Sequence, residues 1–190
     1  MPGLGGLSDP GTTARTLLAL KGLGFDPDLL TSSSGISASQ YLANHYQTTV
    51  YDANGLLFPA SAGLILAAQP QLDGNPNPLA AELNASLQAD GSYATLATSD
   101  FVNGAASATN QIFAILGLSA AGNEIPEASV QYLINLQLPD GTWDNGFGSD
   151  PDTTAMALIA LLSSGQVALD HPAVVKTLDY FASTQLDNGG

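Results

Sequence analysis

The chain has 190 residues, 45% of them apolar, which is enough for one domain or a short repeat array with a real core. Only Arg15, Lys21 and Lys176 are basic, against 17 acidic residues, and the formal charge is −14; this argues against nucleic acid, anionic membranes and diphosphate substrates, all of which need Lys and Arg in numbers. The absence of cysteine removes disulfides, thiolate nucleophiles and Cys-ligated zinc. There is no run of 18 apolar residues to span a membrane and no basic, apolar signal peptide in this chain. The Ser/Thr/Asn/Gln/Asp-rich, Lys-poor composition points to a secreted or cell-surface bacterial protein.

In chain order, the first element is Asp9-Pro-Gly-Thr-Thr-Ala-Arg-Thr-Leu-Leu-Ala-Leu-Lys-Gly-Leu-Gly24. It returns as Asp150-Pro-Asp-Thr-Thr-Ala-Met-Ala-Leu-Ile-Ala-Leu-Leu-Ser-Ser-Gly165, identical at nine of 16 positions. Weaker copies at Ser61–Ala68 and Ile112–Ile115 divide the chain into four units of about 47 residues. The units run near 9–55, 56–103, 104–149 and 150–190. Each is expected to hold two helices. Asp150 suits an N-cap, Pro151 the first helical position and Gly165 the stop. Ala155, Leu158, Ile159 and Leu162 share one helical face. Second helices are expected near 36–47, 78–89, 126–138 and 172–185, the last with a stripe of Val174, Leu178 and Phe181. No stretch has a strand pattern.

Every second helix ends at a Gln, and an aromatic follows in three of them: Gln47 with Tyr51, Gln88 with Tyr93, Gln137 with Trp143. Asp-Gly and Asn-Gly pairs supply the positive φ of the turns between. A Gln there can bond backbone groups at the start of the next helix while the aromatic packs over its amide. That makes a staple between repeats that requires no ligand.

The segment Ala128-Ser-Val-Gln-Tyr-Leu-Ile-Asn-Leu-Gln-Leu-Pro-Asp-Gly-Thr-Trp143 resembles the QW motif of the terpenoid cyclase/prenyltransferase α/α-toroid superfamily, including its prenyltransferase/squalene oxidase repeat proteins. The resemblance implies an all-α array of about four helical hairpins, with inner helices lining a lumen. Such rings usually close with about six hairpins, so an open arc or partial ring is expected. Gln185-Leu-Asp-Asn-Gly-Gly190 looks like half of a QW turn and Gly3–Asp9 like the other half, which suggests a fragment of a larger ring or chain. Asp150-Pro-Asp-Thr-Thr-Ala further resembles the DxDD-T-A element of class II (squalene-hopene-like) terpene cyclases. The match gives Asp150 the place of the first Asp and Asp152 that of the general acid, with Thr153 in place of the third Asp. Prenyltransferase and thioester chemistry fail for want of Cys.

Two further chemistries remain. Asp140, Asp144, Asp150 and Asp152 crowd one loop, and hard oxygen ligands there suit calcium; the plainer reading is a solvated Asp-rich turn. His45 and His171 are lone and read as structural. The expectation is therefore a binding or scaffolding module without a cofactor other than calcium. Its partner is a small apolar molecule or a second copy joined through open repeat ends, and the alternative is a cyclase acting through Asp152.

Overall fold

The computed structural model describes residues 9–72, 77–93 and 108–189. Among these residues the protein is all-α, with nine α-helices and no sheet. The helices are α1 (Pro10–Gly22), α2 (Ala38–His45), α3 (Gln47–Val50), α4 (Pro59–Ala68), α5 (Pro78–Ala85), α6 (Ala108–Ala120), α7 (Glu127–Asn135), α8 (Pro151–Ser163) and α9 (Pro172–Thr184). A 3₁₀ turn (Pro27–Leu29) precedes α2. The expected third-unit start near 104 and the stretch Gly3–Ser8 lie outside the described residues.

The local chemistry sets the boundaries. Asp9 caps α1 by accepting from the amides of Gly11 and Thr12, and Asp150 caps α8 by accepting from the amide of Thr153. Pro follows each cap at the first helical position, where its missing N–H costs nothing. Ser37 and Gln40 form a reciprocal capping box at α2. Gly24 and Gly165 follow the helices they stop with φ of +74° and +72°.

The helices fall into two rows. In the first row, α1 packs on α4, α4 on α6 and α6 on α8. In the second row, α2 and α3 lie on α1, α5 on α4 and α6, α7 on α6 and α8, and α9 on α8. The Lys21 ammonium donates to Ala68 O and the Ser119 hydroxyl to Ser163 O, so neighbouring first-row helices finish at the same end. A first-row helix with neighbours on both sides must be apolar nearly all round. Accordingly α4 buries Ala62, Gly63, Leu64, Ile65, Leu66 and Ala68. The α4–α6 crossing is backbone on backbone: a Cβ at Gly63 would lie 2.0 Å from Phe113 O, and one at Gly117 would lie 2.4 Å from Gly63 O.

Candidate functional site

The turn after α7 is built as a joint between hairpins. Gly141 has φ +91°, and a Cβ there would fall 2.5 Å from Lys176 O of α9. The Gln137 amide donates to Gly141 O (3.2 Å), to Ala173 O in the first turn of α9 (2.9 Å) and to Thr177 Oγ1 (2.9 Å). Trp143 is fully buried. Its indole N–H donates to Leu133 O (2.8 Å), and its backbone N–H donates to Thr154 Oγ1 at the fourth position of α8 (3.2 Å). One turn thus ties α7, α8 and α9 together.

The turn after α5 repeats the arrangement with a different donor. Gly91 has φ +89°, and a Cβ there would lie 2.2 Å from Ala128 O of α7. Gln88 does not reach across; its amide donates to Ser86 O in its own turn. Gln111, fourth in α6 and so in the place of Thr154, does the bridging instead. It accepts from Tyr93 N (3.0 Å) and donates to Gly91 O (3.0 Å) and Ser129 O (2.8 Å). Gln111 was not singled out in the sequence, where it follows Thr109 and Asn110 and reads as part of a polar helix start. Tyr93 is buried, its hydroxyl has no hydrogen-bond partner among the described residues, and burial pushes its pKa up to about 12.

The first such turn is different. Gln47 is exposed and belongs to the short α3, while Tyr51 donates its hydroxyl to Glu82. No described atom lies within 4 Å of a Cβ at Gly55, so this glycine, unlike Gly91 and Gly141, abuts no described helix backbone.

Asp140, Asp144 and Asp150 of the acidic loop are each engaged by their own turn. Asp150 accepts from Thr153 N (2.8 Å), Thr153 Oγ1 (2.8 Å) and Asn145 Nδ2 (2.6 Å). Asp144 accepts from the amides of Gly146 and Gly148 at 2.6 and 2.9 Å. Asp140 accepts from the hydroxyl and amide of Thr142, which hold its carboxyl below the usual carboxylate range. Asp152 lies exposed in the first turn of α8. No three acidic or histidine side chains among the described residues come together around one ion. Asp140, Asp144, Asp150 and Asp152 are thus not brought together as one cluster, and each of the first three bonds a backbone amide within its own turn.

The two histidines serve their helices. His45 stacks on Tyr41 with ring centroids 4.4 Å apart, and His171 Nδ1 caps α9 by accepting from Ala173 N. Beside His171 runs an open groove of about 750 Å³, lined by Glu124, Glu127, Gln131, Gln166, Val130 and Val167 among others. Asp152 does not line it. Phe58, at the N-cap of α4, and Phe113 of α6 are half-buried. No described helix is long and apolar enough to cross a membrane.

Comparison with known proteins adds a partial likeness. A probable squalene–hopene cyclase of Sinorhizobium fredii (strain NBRC 101917 / NGR234) is 30% identical over 92 residues, which cover 40% of this chain and 14% of that protein. The chain thus matches only a small part of the relative's length, and the likeness reaches the terpenoid cyclase-like superfamily at most. No protein-family model matches the sequence.

Proposed function

We propose that this chain is a non-catalytic binding or scaffolding module, an open α/α-toroid-type arc of helical hairpins from an exported bacterial protein. The observation that carries the reading is the use of the motif residues. Gln137, Gly141 and Trp143 are spent on joining hairpins, and Asp150 is spent on capping α8. A general acid that protonates an alkene must be held protonated by burial or crowded negative charge. Asp152 is exposed, and Thr153, in the place of the third Asp, donates to Asp150. The open, polar groove beside His171 suits surface contacts better than a water-free carbocation cavity.

A second reading, a terpene cyclase-like enzyme with Asp152 as general acid, is favoured by one observation, the partial likeness to the probable squalene–hopene cyclase. Incubation with squalene, followed by gas chromatography–mass spectrometry, separates the two. The module reading expects no cyclised product from the wild-type chain or from Asp152→Asn. Product formed by the wild type and lost in Asp152→Asn, with both folded by circular dichroism, would overturn it.

A further inference from the structure

Clefts recur at one end of the array, each between consecutive hairpins. Every one is bounded by the start of a second-row helix and by residues just past the end of the next first-row helix. In the first, Asp28 of the 3₁₀ turn and Ser39 and Gln40 of α2 line the cleft with Gln69, which follows α4. In the second, Asn77 and Asn84 of the α5 segment line it with Ala121 and Asn123, which follow α6. In the third, the groove beside His171, Glu127 and Gln131 of α7 line it with Gln166, which follows α8. The volumes are about 500, 460 and 750 Å³. First-row helices finish together at this end, so the three clefts lie in a row.

The linings share a chemistry. None holds Lys or Arg, and side-chain amides recur in all three: Gln40 and Gln69, Asn84 and Asn123, Gln131 and Gln166. Lys21 donates to Ala68 O and Lys176 to Leu138 O, and neither lines a cleft. Acceptors are left over. Glu124 and Glu127 line the third cleft and make no side-chain hydrogen bond among the described residues, whereas Asp140, Asp144 and Asp150 are each bonded to their own turn. The side-chain oxygen of Gln69 is buried at the first cleft and has no partner among the described residues. A buried acceptor without a donor is costly, so this cleft favours an occupant that brings one.

We infer that this row of clefts binds an extended segment of a partner protein that carries Lys or Arg, laid across successive hairpins. The inference rests on the binding half of the proposed reading and names the partner's chemistry. Lys and Arg side chains are donors with no acceptor, which is what Glu124, Glu127 and the Gln69 oxygen lack. The formal charge of −14 draws such a segment in and turns anionic polymers away. An extended backbone offers both N–H and C=O groups, and the Asn and Gln amides that recur in every cleft can answer both. Open clefts in a row suit a long ligand better than a compact one.

The probe is a fluorescein-labelled peptide of four Lys-Ser-Gly repeats, in which Lys recurs about every 10 Å when extended, close to the 8–10 Å between packed helices. Fluorescence anisotropy at about 0.15 M salt, where the screening length is about 8 Å, reads its binding to the 190-residue chain. The wild type should bind saturably, and the lysine-acetylated peptide should not. Glu124→Gln with Glu127→Gln should weaken binding about 10-fold. Asp152→Asn with Asp187→Asn removes the same charge away from the clefts and should weaken it less than about 2-fold; Asp152 lies about 16 Å along α8 from Ser163, beyond the screening length. All four positions are exposed, so both double variants should keep the wild-type circular dichroism spectrum. Amide NMR should show the peptide shifting Ser39, Gln69, Asn123 and Gln166 together. No binding by the wild type would overturn the proposal, as would equal binding of the acetylated peptide, equal weakening by the two double variants, or shifts confined to one cleft. None of these results depends on squalene turnover, so peptide binding and the non-catalytic reading fail separately.

Discussion

Replacing Gly141 by Ala tests whether the turn after α7 is a joint or merely a loop. Two costs apply. Alanine at φ +91° sits in the left-handed region, at about 1–2 kcal/mol. Its Cβ would also lie 2.5 Å from Lys176 O, a helix backbone atom that cannot swing away, and forcing such a contact costs about 1–3 kcal/mol more. Gly165→Ala is the matched control, with φ +72° and no described atom within 4 Å of the new Cβ, so it bears the first cost alone. The expected losses are about 2–5 kcal/mol for Gly141→Ala and about 1–2 kcal/mol for Gly165→Ala. Urea unfolding followed by circular dichroism gives both numbers. Trp143, the only tryptophan and fully buried in the same joint, reports the local transition by fluorescence. Equal losses within about 0.5 kcal/mol would refute the joint, since only the clash distinguishes the two sites.

The two aromatics in equivalent turns should answer differently to Phe. Tyr93→Phe removes a buried hydroxyl that has no hydrogen-bond partner among the described residues and should leave urea stability unchanged or raise it by up to about 1 kcal/mol. Trp143→Phe loses the bond to Leu133 O and opens a void, and should cost about 2–3 kcal/mol. Because folding raises the Tyr93 pKa from its ordinary value of 10.0 to about 12, its contribution is fully present below pH 10 and is lost as pH rises towards 12; ultraviolet absorbance during alkaline unfolding reads this. Asp90 and Asp140 are held below the ordinary carboxylate value by hydrogen bonds from Ser92 and Thr142 respectively, the amide bond leading for Asp90 and the hydroxyl bond for Asp140. Their contributions are therefore present above that value and fade as pH falls through the lowered ones, which carboxyl NMR titration can follow. Gly117→Ala drives a Cβ to 2.4 Å from Gly63 O and should cost more than about 2 kcal/mol in the same urea assay.

The helices were legible because their ends are chemical. Asp-Pro starts and glycine stops mark α1 and α8, and apolar spacing marks what lies between. Which side of a first-row helix faces inward was not legible. Ala155, Leu158, Ile159 and Leu162 form the evident stripe on α8, yet the fully packed side is Thr154, Ala157, Ala160 and Leu161. A helix built to be sandwiched is apolar on both sides, and periodicity cannot tell a filled side from an open one. The Gln–aromatic pairing in the sequence pointed to the turns, but the bonding partner lies far off in sequence. Gln137 bonds α9 across 36 residues, whereas at the preceding turn the task belongs to Gln111 rather than Gln88. The short α3 was missed because four residues carry too little periodicity to register. Sequence shows the proximity of the clustered aspartates but not the bond that Asp140, Asp144 and Asp150 each make to their own turn.

Native mass spectrometry of the purified chain, with and without calcium, tests the scaffolding account most directly. The account predicts a monomer of 19.3 kDa and its multiples, each at the bare protein mass and unchanged by calcium. A monomer carrying a lipid-sized mass in one-to-one ratio would contradict scaffolding and leave only the binding half of the proposed reading. Stoichiometric calcium uptake would contradict it by making the acidic loop a metal site.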